Sequence, residues 1–137
     1  MKKTFATLTL MAASLLLGSA ATQAHHSFSA EFDSNKPVQF TGTVTEMKWS
    51  NPHGWIHLDV TNADGTVTNW ALETSAANAL IRRGWRKADL PPGTVLNVEG
   101  WQARNGSNTA NIRSVTLEDG RRLFAGTSNP AAQEAPQ

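Results

Sequence analysis

The sequence of 137 residues predicts an all-β domain with one short helix. Apolar and polar side chains alternate over several short segments, as they do in strands that bury one face. Turn dipeptides separate these segments, and Asn105-Gly106 is the strongest hairpin signal among them. One segment, residues 76–83, instead has the apolar spacing of a helix. The predicted order is therefore strand, strand, strand, helix, strand, strand.

The first 24 residues have the pattern of a secretory signal peptide. A positive end precedes an apolar run over residues 6–17, and small residues lead up to Ala24. The run is too short to span a membrane. Cleavage is predicted after Ala24, with Ala21 as the alternative, and it makes His25 the first residue of the exported protein.

The composition limits the chemistry of this exported chain. It has no cysteine, which excludes disulfides, thiolate metal sites and cysteine nucleophiles. Loss of Lys2 and Lys3 leaves ten basic side chains against eleven acidic ones, so nucleic acid is not an expected partner. No later apolar run is long enough to span a membrane. We therefore predict a periplasmic location, with the medium as the alternative, and no stable membrane insertion after signal cleavage.

The domain is predicted over residues 37–125. A polar arm, residues 25–36, precedes it, and its Phe28 and Phe32 contact the domain surface. The first strand starts at Pro37, and a shift in the phase of its apolar residues near Thr45-Glu46 predicts a bulge. The tail, residues 126–137, has too few apolar side chains to order itself.

The second strand, residues 55–61, has the clearest alternation. One parity carries core residues and the other carries Trp55, His57 and Asp59, which we expect to be half-exposed. The third strand covers residues 66–73, and Gly84 ends the helix that follows. The fourth and fifth strands cover 94–103 and 108–117, with a second bulge in the fifth. This plan is that of a five-stranded OB-like barrel (β-β-β-α-β-β), and a sandwich-like roll is the alternative.

Several short motifs occur in a fixed order along the exported chain. They are His25-His26-Ser27-Phe28 with Glu31-Phe32-Asp33, then Gly42-Thr43-Val44, Trp49-Ser50-Asn51-Pro52-His53, Trp70-Ala71-Leu72-Glu73, Arg83-Gly84-Trp85 and Leu90-Pro91-Pro92-Gly93. In this order they resemble a family of small exported bacterial proteins known as domain of unknown function 6152. The resemblance implies export and a compact β domain, and it implies no catalytic residues.

The four histidines suggest a metal site. Cleavage after Ala24 gives His25 a free amine beside its imidazole, and these two nitrogens can chelate one ion. With His26 and His53 they form a nitrogen-rich set that favours Cu(II). His57 is a poor partner for His53, because four residues of extended strand span roughly 13 Å. In the alternative interpretation the ring of His53 only stabilises its turn, and no metal binds.

A second hypothesis is a ligand-binding face on the second and third strands. Trp49, Trp55, His57 and Asp59 would contact an organic or protein ligand there, since tryptophan rings stack on sugars and peptides. The alternative is that the tryptophans fill the core, which we expect for Trp70 and Trp85.

No enzyme motif is present, neither a Gly-x-Ser-x-Gly elbow nor a phosphate loop nor a His-Glu-x-x-His helix. The sequence therefore predicts a non-catalytic binding or accessory protein. Its partner is an unidentified small ligand or an envelope protein.

Overall fold

The computed structural model describes residues 28–126, which form a mostly antiparallel sheet of six strands with two short helices. The predicted signal peptide, and the predicted tail after Gly126, lie outside the described residues. In chain order the elements are α1 (Phe28–Glu31), β1 (Phe32–Lys48), β2 (Trp55–Thr61), β3 (Val67–Glu73), α2 (Ala77–Arg82), a 3-10 turn (Lys87–Asp89), β4 (Val95–Ala103), β5 (Thr109–Leu117) and β6 (Arg122–Phe124).

The sheet has six strands, one more than the five of the predicted barrel. After the turn at Gly120, which has a positive φ of 84°, the short strand β6 pairs with β5. The turn at Asp119-Gly120 and a brief pairing of residues 121–124 are expected from the sequence, and β6 covers Arg122–Phe124.

The strands pair in the order β3-β2-β1-β4-β5-β6, and each of these neighbouring pairs is antiparallel. In addition, β3 pairs with β5 in parallel, with Ala71, Leu72 and Glu73 opposite Thr109, Ala110 and Asn111. This pairing joins segments that are far apart in the sequence. It places the end of β3 directly beside β5.

Both predicted bulges are present. In β1 the extra residue is Thr45, and in β5 it is Arg113. The carbonyl of Arg113 accepts hydrogen bonds from the backbone N–H groups of Ala125 (2.9 Å) and Gly126 (3.0 Å). The bulge in β5 thus fixes the segment that follows β6.

The core contains the residues that alternation predicts. Ile56 and Leu58 of β2 are fully buried, while Trp55, His57 and Asp59 on the opposite face are half-buried. Trp85 is buried as expected and donates its indole N–H to the Phe124 carbonyl at 3.0 Å. Trp70 is partly buried and packs against the same core, with its ring 4.7 Å from that of Phe40.

The N-terminal part of the described chain is more regular than the sequence predicts. Phe28–Glu31 form α1 instead of an irregular arm, and β1 begins at Phe32 instead of Pro37. The cause is a second apolar cluster, which contains Phe28, Phe32, Trp101 and Ala103. The Phe28 ring packs edge-on against the Trp101 ring at 5.5 Å, and this contact orders the chain before the predicted start.

Within residues 28–126 no helix combines the length and the apolar character that crossing a membrane requires.

Candidate functional site

His53 lies in the turn between β1 and β2. The Ser50 hydroxyl donates a hydrogen bond of 2.6 Å to the His53 carbonyl, and the Asn51-Pro52 peptide bond is cis. The next residue, Gly54, donates its N–H to Ser75 O (3.2 Å), and its carbonyl accepts the N–H of Thr74 (2.9 Å). These bonds fix the turn against the end of β3.

Only glycine fits at position 54. A Cβ atom there would lie 2.6 Å from Thr74 Oγ1 and 3.3 Å from two backbone oxygens, those of Lys48 and Ser75. The absence of a side chain thus permits the close approach that brings His53 to β3.

The side chain of His53 points at a buried carboxylate. His53 Nδ1 lies 3.4 Å from Glu73 Oε1, and the Glu73 side chain is only 9% exposed. Asn111, itself 1% exposed, donates a hydrogen bond of 3.2 Å from Nδ2 to the same Oε1 atom. These three side chains, His53, Glu73 and Asn111, form the polar cluster.

Two buried atoms of the polar cluster have no hydrogen bond among the residues that the structure describes. They are Nδ1 of His53 and Oδ1 of Asn111. The separation of 3.4 Å between His53 and Glu73 permits electrostatic attraction, but the geometry is not that of a hydrogen bond. Leaving such a group unsatisfied costs about 1–3 kcal/mol.

Strand pairing builds the polar cluster. Trp55 is opposite Glu73, Glu73 is opposite Asn111, and Asn111 is opposite Trp101. Opposed residues point to the same side of a sheet, so these four side chains form one row across β2, β3, β5 and β4. His53 is next to Glu73, the second member of the row, and the Trp101 end is covered by Phe28.

The predicted metal ligands are only partly described. His25 and His26 lie outside the described residues, whereas His53 belongs to the polar cluster. In the range 28–126 no group of three or more His, Asp or Glu side chains is close enough to hold an ion. Sequence reasoning did not select Glu73 and Asn111 as partners of His53. The only signal for Asn111 is a polar residue between the apolar residues Ala110 and Ile112.

The predicted ligand-binding residues do not form one group. Trp55, His57 and Asp59 lie on one face of β2, and Asp59 accepts a hydrogen bond from the Asn69 amide. Trp49 instead packs edge-on against Trp85, with ring centroids 6.5 Å apart, at the margin of the core.

A surface cleft of about 340 Å³ lies beside the bulge in β1. Of the four predicted ligand-binding residues, His57 alone lines it. The complete lining is Thr45, Glu46, His57, Leu58, Asn69, Trp70, Ala71 and Asn108.

Comparison with known proteins identifies a family but no activity. A model of a family of unknown function, DUF6152, matches residues 13–112, which is more than half of the chain and includes the whole polar cluster. No curated protein and no solved structure matches the chain. On the extent of the family match, the chain belongs to the DUF6152 family.

Proposed function

We propose that this chain is an exported periplasmic binding protein, without catalytic activity, that captures Cu(II) through His25, His26 and His53. The observation that carries the proposal is the position of His53 beside the buried carboxylate of Glu73. A divalent cation is attracted by the carboxylate and interacts with the imidazole nitrogen that otherwise has no hydrogen bond in residues 28–126.

The length of the chain before Phe28 allows the N-terminal histidines to take part. Trp101, which the Phe28 ring contacts, is two strand spacings from Glu73, or about 10 Å. His25 precedes Phe28 by three residues, which span up to about 10 Å when extended. The imidazole adds further reach. On these lengths we propose that a free amine at His25, produced by cleavage after Ala24, can reach the ion beside His53.

The chemistry of these groups selects the ion. One amine and three imidazoles supply nitrogen ligands, and the exported chain offers no thiolate. Such a set suits Cu(II) in tetragonal geometry better than calcium or magnesium, which prefer oxygen ligands.

We also propose that the five long strands form an OB-like barrel. The pairing of β3 with β5 supports this, because it gives every strand from β1 to β5 a neighbour on both edges. A closed sheet has no free edge, which suits an exported β protein that lacks disulfides.

Copper titration of the exported and cleaved protein tests the metal proposal. Mass spectrometry first checks that His25 is the N-terminal residue. The matched control carries a Gly-Ser-Gly-Ser extension before His25, which keeps both imidazoles but removes the amine from that residue. We expect one Cu(II) per chain, a nitrogen-rich electron paramagnetic resonance spectrum, and affinity at least about tenfold weaker in the control and in His53→Ala. Equal affinity of the native and extended proteins would show that the N-terminus is not part of the site.

A second candidate function, binding of an organic ligand, is favoured by the cleft beside the β1 bulge. Its volume of about 340 Å³ is at the small end of the usual range for ligand sites. His57, Asn69 and Asn108 offer polar groups, and Trp70 offers an aromatic ring. A panel of sugars and short peptides tests this function, because a ligand of the native state raises the melting temperature. We expect His57→Ala to abolish that rise but to leave copper binding unchanged.

A further inference from the structure

We propose that Glu73 is itself a ligand of the bound ion, so that the site has mixed nitrogen and oxygen ligands and accepts Zn(II) as well as Cu(II). This inference rests on the proposed function, because it concerns the same site at His53. It goes further in naming a carboxylate ligand, which histidine spacing does not indicate, and in widening the range of ions.

The distance between His53 and Glu73 is the first argument. Zinc binds imidazole nitrogen at about 2.0–2.1 Å and carboxylate oxygen at about 2.0–2.2 Å. Two such ligands of one tetrahedral ion are therefore about 3.3–3.5 Å apart. The separation between Nδ1 and Oε1 is 3.4 Å. The observed separation thus matches two ligands of a tetrahedral ion, whereas the right angle of a tetragonal Cu(II) site requires the two atoms to approach by about 0.5 Å.

Asn111 supplies the second argument. Its Nδ2 donates to Glu73 Oε1, as the partners of metal-ligating carboxylates commonly do, and this bond orients the carboxylate. The same bond fixes the amide, because the reverse orientation would set Oδ1 against the negative charge. Asn111 Oδ1 is then a buried acceptor with no hydrogen bond among the described residues. It lies beside the carboxylate, where it accepts a hydrogen bond from another group of the ion's ligand shell.

The types of ligand also decide which oxidation state of copper is bound. A carboxylate is a hard, anionic ligand that favours divalent ions, whereas Cu(I) prefers thiolate and thioether sulfur. We therefore expect the site to bind Cu(II) and Zn(II) and to discriminate against Cu(I).

Zinc and copper titrations of the full exported chain, in its wild-type form and as Glu73→Gln, test the proposal. Glutamine keeps the shape and still accepts the Asn111 hydrogen bond, but it removes the charge. The matched control is Glu99→Gln on β4, where the carboxylate bonds Arg122 at 2.5 Å and lies outside the polar cluster. We expect Glu73→Gln to weaken the binding of both ions at least about tenfold, and Glu99→Gln to change it less than about twofold.

A measurement on the wild-type protein covers the case in which Glu73→Gln does not fold. Carbon-13 NMR follows the side-chain carboxyl resonances of glutamate while Zn(II) chloride is added. We expect the Glu73 resonance to shift until one equivalent of zinc is present, and the Glu99 resonance to remain in place.

The outcomes separate this proposal from the proposed function. Copper binding by the wild type, together with an unchanged affinity in Glu73→Gln or an unmoved Glu73 resonance, overturns the carboxylate ligand alone. Failure of the wild type to bind either ion overturns both proposals.

Discussion

Replacing Gly54 by alanine tests whether the close approach of two backbone segments positions the polar cluster. The new Cβ would lie 2.6 Å from Thr74 Oγ1, whereas ordinary contacts begin at 3.4 Å. Thr74 is fully buried, and its hydroxyl donates to the Ser75 carbonyl at 2.9 Å, so the side chain cannot rotate without losing that bond. The turn must therefore move by about 0.8 Å. Overpacking of this kind lowers the free energy of unfolding by about 1–3 kcal/mol.

The same movement of the turn should change the distance between His53 and Glu73. Gly54 follows His53 directly and makes two backbone hydrogen bonds with residues just after Glu73. A shift of this size along the line between the two atoms would lengthen the separation of His53 Nδ1 and Glu73 Oε1 from 3.4 Å to about 4 Å, which is too long for two ligands of one tetrahedral ion. We expect zinc affinity to fall at least about tenfold.

Urea unfolding of Gly54→Ala, Thr74→Ala and the double variant provides the assay. Thr74→Ala removes the atom that the new Cβ would meet, so the double variant should be destabilised by less than the sum of the single variants. The coupling energy should be about 1 kcal/mol or more, which is typical of residues in direct contact. Strict additivity of the two changes would refute the steric reasoning.

Three further predictions concern the N-terminal contact, strand packing and acid stability. Phe28→Ala removes a ring from the second apolar cluster and should lower the free energy of unfolding by about 3 kcal/mol and weaken Cu(II) binding, as measured by urea unfolding and copper titration. Gly100→Ala sets a Cβ 2.3 Å from the Asn111 carbonyl oxygen, and this clash can be relieved only by a movement of the backbone. Calorimetry should show that the free energy of unfolding falls by about 3 kcal/mol or more. Hydrogen bonds from the Thr66 hydroxyl and N–H lower the pKa of Asp64 below its ordinary value of 3.8. As the pH falls, the carboxylate of Asp64 is therefore protonated in the unfolded chain before it is protonated in the folded chain. The stabilisation is therefore complete at pH values above the pKa that Asp64 has in the unfolded chain, and it is lost as the pH falls through the lower pKa of the folded chain. Asp64→Asn should therefore reduce the loss of stability that urea unfolding shows below about pH 4.

Local patterns in the sequence predict much of the sheet, because alternation and turn chemistry act between near neighbours. The parity of β2 gives its buried face correctly, and the change of phase after Val44 locates the bulge at Thr45. The start of β1 was not predictable in this way. Phe32 belongs to the strand because it pairs opposite Ala103, which is 71 residues away in the chain.

The polar cluster shows the same limit more clearly. The sequence points to His53 because it follows Asn51-Pro52 in a turn, and a turn is specified by residues that are adjacent in the chain. Glu73 becomes its neighbour through the antiparallel pairing of β2 with β3. Asn111 joins them only through the parallel pairing of β3 with β5, and it lies 38 residues from Glu73 in the chain. No periodicity in the sequence specifies which strands of a sheet are adjacent, so a carboxylate on the polar parity of β3 has the same signature as a surface residue.

The Phe28 contact with Trp101 and the carboxylate of Glu73 should affect copper binding in different ways. The contact between Phe28 and Trp101 fixes Phe28, so under the proposed function it acts through the effective concentration of the N-terminal amine and imidazoles. Glu73, as the proposed carboxylate ligand, acts instead on the strength of the ion's own bonds. Loss of the Phe28 contact should therefore weaken Cu(II) binding without altering the spectrum of the bound form. Loss of the Glu73 carboxylate should alter both, which makes the spectrum the measurement that separates tethering from coordination.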